Sequence, residues 1–233
     1  MIFDQKHAIL SFFQFLKMNY RNSLFLAIFC FITQAQTCHA AAKSKSAKEK
    51  EKKRYSRICG YDHPSLDNRG YKIIDSLRTF SSASSLEFSS SPQHKSMCWL
   101  IHEDKAAVAA GSQKMKERYA LATLIFATSP EKWETKTNWL TKESVCQWYG
   151  ITCDQWGHVV DIDLGFNALN GLVPSEIALL SYLDGLRLTA NDLQGVIPTA
   201  IGHLSNLRVL QLNMNGFFGL IPTTIGKLTN LRK

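Results

Sequence analysis

A set of polar and apolar side chains recurs at a spacing of 24 residues: Asp161, Asp163, Gly165 and Phe166; Gly185, Arg187, Thr189 and Ala190; Val209, Gln211, Asn213 and Met214. Together they offer carboxylates, a guanidinium, a hydroxyl, amides and two large apolar groups. That mixture suits reversible recognition, in which a few apolar anchors sit among hydrogen bonds and ion pairs. Phe166 and Met214 are the candidate anchors, and Asp161, Asp163, Arg187, Thr189, Gln211 and Asn213 the candidate polar contacts. The set contains no nucleophile beside a base and no phosphate cradle. G-x-S-x-G, H-E-x-x-H and G-x-x-x-x-G-K-[ST] do not occur. His39, His158 and His203 have no Cys or carboxylate spaced to make a base with its orienting partner. No catalytic residue is expected.

Metal chemistry has one candidate. Cys59-x3-His63 and Cys98-x3-His102 could supply four ligands, but the first pair lies in a polar spacer and the two pairs are far apart in sequence. The sequence therefore predicts no metal site and no cofactor.

The elements that position these side chains follow from the repeat frame L-x-x-L-x-L-x-x-N-x-L-x-G-x-I-P, in phase from Val159, Leu183 and Leu207, with a further start at Leu231. The x-x-L-x-L-x-x alternation predicts a short strand. Ile162 and Leu164, Leu186 and Leu188, and Leu210 and Leu212 then face one side, and the candidate contacts face the other. Asn167, Asn191 and Asn215 fall where the chain turns inward. A buried amide survives there only with both its donor and its acceptor bonded to backbone, which predicts a ladder. Gly171, Gly195 and Gly219 permit a tight turn, and the prolines after them favour extended backbone. Ile177, Ile201 and Ile225, with Leu180, Leu204 and Leu228, close the opposite side. One such unit cannot bury its own apolar face, so stacking must complete it.

This frame resembles the leucine-rich repeat in its plant-type 24-residue form. The resemblance implies an α/β solenoid, a right-handed leucine-rich-repeat superhelix with short parallel strands on its concave face, and a protein-recognition role. The preceding segment strengthens the likeness. Residues 114–127 predict a helix with Met115, Tyr119, Ala122 and Phe126 as a stripe widened by Leu121 and Ile125. Trp133, Asn138-Trp139-Leu140, Cys146-x-Trp148-x-Gly150-Ile-Thr-Cys153 and Gly157-His-Val159 follow. This wording resembles the N-terminal cap of plant-type leucine-rich repeats. Arg118-Tyr-Ala-Leu-Ala-Thr-Leu, with Ser91-Pro-Gln and Trp99-Leu upstream, is similar to the version in diatom leucine-rich-repeat proteins. The resemblance implies a disulfide between Cys146 and Cys153, hence an oxidising compartment. Such a cap would cover the open edge of the first strand.

Five regions result: 1–40, a signal peptide or signal anchor; 41–57, a Lys-rich disordered segment; 58–90, a Ser-rich disordered spacer; 91–158, the helical cap; and 159–233, three repeats and the start of a fourth. The apolar run Leu24–Ile32 follows Lys17 and Arg21 and is too short for an ordinary membrane span. Lys43–Arg57 carries +6 of the chain's net +8, so the basic character is local. Attachment to an anionic matrix or membrane surface through this run is one expectation; without interleaved aromatics, nucleic acid is not an expected partner.

The sequence thus predicts a secreted or cell-surface module that binds a protein or peptide on its concave face. It reads as a piece of a longer receptor-like or secreted chain, because the last repeat stops at Lys233. A structural wall- or matrix-associated adaptor is the alternative.

Overall fold

The computed structural model describes Cys59 and residues 68–232. The expected signal segment at 1–40 and the basic run at 41–57 lie outside the described residues.

The stretch expected as a disordered spacer carries two helices joined by a turn, which corrects that expectation over 68–90. Helix α1 (Asn68–Leu77) buries Ile73, Ile74 and Leu77, and α2 (Ala83–Glu87) buries Leu86. The serines between and after them cap helices. Ser82 Oγ accepts from Ser85 N at 3.1 Å to open α2. Ser91 Oγ accepts from His94 N at 3.0 Å to open α3 (Pro92–Cys98), with Pro92 in the first turn. Serine richness read as disorder because capping residues and disordered segments share a composition.

The chain continues from α3 through a wide turn, Trp99–Glu103, and then into α4 (Gln113–Ala127), capped by Ser112. The stripe expected on α4 extends around the helix: Glu117, Arg118 and every residue from Tyr119 to Ile125 are buried as well as Met115. One face meets α3 and the other the first repeat, so α4 is the core of the cap.

Two parallel ladders build the repeats. β2 (Val159–Asp163), β4 (Gly185–Arg187) and β6 (Val209–Gln211) form the concave sheet, and β1 (Ile151–Cys153) pairs antiparallel with β2 at its edge. β3 (Asn170–Leu172), β5 (Asp192–Gly195) and β7 (Gly216–Phe217) form a second sheet. Tight 3-10 turns at Ser175–Leu179, Thr199–His203 and Thr223–Lys227 close each coil. Ile162, Leu164, Leu186 and Leu188 are fully buried between coils. Leu210 and Leu212 are half-buried, since only one neighbouring coil covers them.

The cap and the first coil share one core. Trp133, Trp139 and Trp148 form a chain of ring contacts with centroids 4.9 and 5.1 Å apart. Arg118 lies 5.1 Å from the ring centroids of both Trp99 and Trp148, and its guanidinium donates to Asp104 and to the carbonyls of Thr141 and Glu143. A charge can be buried there because its polar edges are bonded and the guanidinium lies against two aromatic rings, themselves in edge contact with centroids 6.0 Å apart. Ser81 Oγ reaches Glu176 of the first 3-10 turn at 2.6 Å and lies 2.9 Å from the Tyr119 hydroxyl. Gly150 must be glycine: its φ is +76°, and a Cβ there would strike the Asp163 carbonyl.

Candidate recognition surface

The concave side chains are aimed by the strands and then by a repeated turn. Phe166, Ala190 and Met214 all adopt the left-handed region, with φ of 54°, 55° and 56°. Each precedes a ladder asparagine, and this conformation swings the chain out of the strand so that the asparagine points inward. A non-glycine residue there costs on the order of 1 kcal/mol. The same turn throws Phe166 and Met214 outward, leaving them 71% and 68% exposed.

The asparagines behind them join coil to coil. Asn191 Oδ1 accepts from Asn167 N at 3.1 Å and Leu169 N at 2.9 Å, while its Nδ2 donates to the Leu164 and Leu188 carbonyls at 2.9 and 3.0 Å. Asn215 repeats the pattern, accepting from Leu193 N and donating to Leu188 and Leu212. Asn167 has no preceding coil. Its side chain instead bonds Thr135 N at 2.7 Å and the Thr135 carbonyl at 2.9 Å, which fastens the cap to the first repeat.

An open groove of about 740 Å³ runs across the concave face, lined by Tyr149, Gly150, Asp163, Gly165, Phe166, Arg187, Thr189, Gln211 and Asn213. Six of the eight side chains expected there come together in it. Asp161 lies to one side and ion-pairs with Arg187. A Cβ on Gly185 would collide with that carboxylate, so glycine keeps room for the pair. Burial pushes the Asp161 carboxyl above its ordinary range; Arg187 opposes the shift, and Asp163 and Asp184 add to it. Thr189 Oγ1 bonds Asn213 Oδ1 at 3.0 Å. Met214 is outside this groove and borders a second depression with Asn191, Asp192, Gln194, Asn215 and Gly216. Tyr149 was missed from sequence because it occupies a variable position between Trp148 and Gly150 of the cap motif; only the fold brings it beside the repeats.

The groove holds Asp163, which has no ion pair among the described residues, Arg187 partly neutralised by Asp161, hydroxyl and amide groups, and two exposed aromatic rings. It can therefore accept hydrogen bonds and a positive charge at Asp163 and hold an apolar group against Phe166.

Two further sequence readings change. His158, read as lacking a carboxylate, has its Nδ1 3.6 Å from Glu117 Oε1 and its ring stacked on Tyr182 at 4.0 Å. Burial pushes the Glu117 carboxyl up; Gln113, His158 and the Val159 backbone N–H oppose the shift. Glu117 thus ties α4 to β2. Among the described residues the cysteines pair as Cys146–Cys153 and Cys59–Cys98. The second bond joins two cysteines that the sequence leaves 39 residues apart.

Residues 206–228 match the Leucine Rich Repeat family. Solved structures similar to this chain include the BIR3–SERK2 complex from Arabidopsis thaliana, at 31% identity over 42% of this chain and 53% of that one, with a TM-score of 0.37. The BIR2 ectodomain from Arabidopsis thaliana matches at 24% identity over 48% and 62% of the two chains, with a TM-score of 0.45. The Arabidopsis receptor kinase HAESA ectodomain, in complex with an N-terminally extended IDA peptide hormone, matches at 34% identity over 37% and 15%, with a TM-score of 0.35. In these matches the chain spans between 15% and 62% of the other protein's length. The repeat that matches this family is preceded by two coils with the same 24-residue wording, asparagine ladder and left-handed turn.

Proposed function

We propose that the chain is an extracellular or cell-surface recognition module that binds a protein or peptide segment along its concave face, as part of a longer receptor-like or secreted leucine-rich-repeat protein. The supporting observation is the groove: side chains from the cap and all three coils converge on it, while their neighbours along each strand hold the core. The coils are read as a short piece of a right-handed superhelix. The two disulfides among the described residues support an oxidising compartment. Among the described residues, no helix is long and apolar enough to cross a membrane.

An extended peptide suits the groove, an open channel whose lining runs across the strands from Tyr149 and Gly150 to Gln211 and Asn213. The ligand expected is a short segment with a basic residue at Asp163 and an apolar or aromatic residue against Phe166.

The experiment is selection of displayed peptides on the folded chain, followed by affinity measurement on variants. Selected peptides should lose at least tenfold in affinity on Phe166→Ala and on Asp163→Asn, with unchanged circular dichroism. Peptides that bind all three proteins equally would overturn the concave-face assignment.

A further inference from the structure

A second site, on α3, shares no residue with this groove and does not depend on the recognition reading. His94 and Cys98 are four residues apart on α3 and so share one helix face. His94 is buried, and its Nδ1 lies 2.8 Å from the Leu86 carbonyl, an acceptor that requires the proton on Nδ1. That fixes the tautomer and leaves Nε2 with its lone pair, 3.4 Å from Cys98 Sγ. Cys59 joins from the other side through its bond to Cys98. Both sulfurs and the imidazole nitrogen lie within 4.8 Å of one another.

We propose that reduction of the Cys59–Cys98 disulfide converts this cluster into a Cys2His metal site for a thiophilic cation of the zinc type. Donor chemistry and spacing both fit. A tetrahedral zinc with Zn–S near 2.3 Å and Zn–N near 2.1 Å places sulfur and nitrogen about 3.6 Å apart and two sulfurs about 3.8 Å apart. The His94–Cys98 separation is already close to that value. The two sulfurs are bonded to each other and must part, so disulfide and metal exclude one another. The Leu86 carbonyl orients the imidazole as second-shell acceptors do at metal-bound histidines. Three protein ligands leave the fourth position to water.

The chemistry balances in two steps. A dithiol reductant transfers two electrons and two protons to the disulfide, giving two thiols and the reductant's own disulfide. Binding of the cation then releases two protons as both thiols become thiolates. The consequence is a tether with two forms: residue 59 stays fastened to α3 by a covalent bond when oxidised and by the metal when reduced.

The test uses the full chain, oxidised and reduced, titrated with zinc alone and with cobalt as the spectroscopic probe. The oxidised chain should take up neither metal. The reduced chain should bind one equivalent and show an intense thiolate-to-cobalt band with tetrahedral visible absorption. His94→Gln should weaken zinc at least tenfold, and Cys98→Ser should abolish the band. Cys146→Ser/Cys153→Ser and Cys30→Ser/Cys38→Ser should leave both readouts unchanged. Circular dichroism of oxidised His94→Gln reports its folding, and the wild-type cobalt spectrum counts thiolates without any variant. Failure of the reduced wild type to bind either metal would overturn the proposal. So would binding indifferent to His94→Gln and Cys98→Ser, or dependent on the other cysteines.

Discussion

Asn191 satisfies two backbone N–H groups and two carbonyls from two adjacent coils with one side chain. Asn191→Ala leaves those buried groups without partners and should cost on the order of 1–3 kcal/mol, read as a lowered urea midpoint. Asn167→Ala should cost a similar amount but loosen the cap, raising proteolysis near Thr135 before the repeats unfold. Glu117 gives a pH signature. Its folded-state pKa is raised by burial above the ordinary 4.5, so the folded state holds the proton more tightly. The stability this contributes is complete below pH 4.5 and is lost as pH rises through the folded value. Glu117→Gln should flatten that part of the stability profile, measured by urea unfolding at a series of pH values above 4.5. An unchanged difference between the two proteins at every pH would contradict the shift.

Among the elements, α4 shows how far periodicity carries. Its start, end and apolar content were legible, yet burial on nearly every face was not, because the helix has neighbours on opposite sides. Arg118 was legible only as part of a family wording. Its place against two tryptophans, with Asp104 and two carbonyls, depends on residues 14 to 25 positions away and on Trp148. Arg118→Met should therefore leave Asp104 buried without its partner and cost roughly 3–5 kcal/mol, seen as a cap that melts below the wild-type midpoint. At α2 the serines had the composition of a loop, and the cap that Ser82 forms becomes visible only once the following helix exists, whereas Ser91-Pro92 at α3 reads as a helix start in the sequence itself. Ser91→Ala should cost about 0.5–2 kcal/mol in thermal or urea unfolding.

For the whole molecule, charge and groove are separable. Attachment of the intact chain to an anionic matrix through Lys43–Arg57 should weaken steeply as the screening length falls from about 10 Å at 0.1 M salt to about 3 Å at 1 M. Peptide binding, with one ion pair at Asp163 beside the apolar anchor on Phe166, should weaken far less over the same range. Retention on the matrix that ignores salt would argue against the basic run as its cause.

The repeat was determined by the sequence itself. A period of 24 residues, alternating leucines and an asparagine before each turn force the same coil three times, since each local preference agrees with its neighbours. The concave positions followed from the same alternation. Tertiary structure alone decided the groove's membership, admitting Tyr149 and excluding Met214, because the cap and the coils meet there across segments with no common period. It also decided the Cys59–Cys98 pairing and the approach of His94, and for the same reason: chain packing brings these groups together across a separation of 39 residues that carries no pattern.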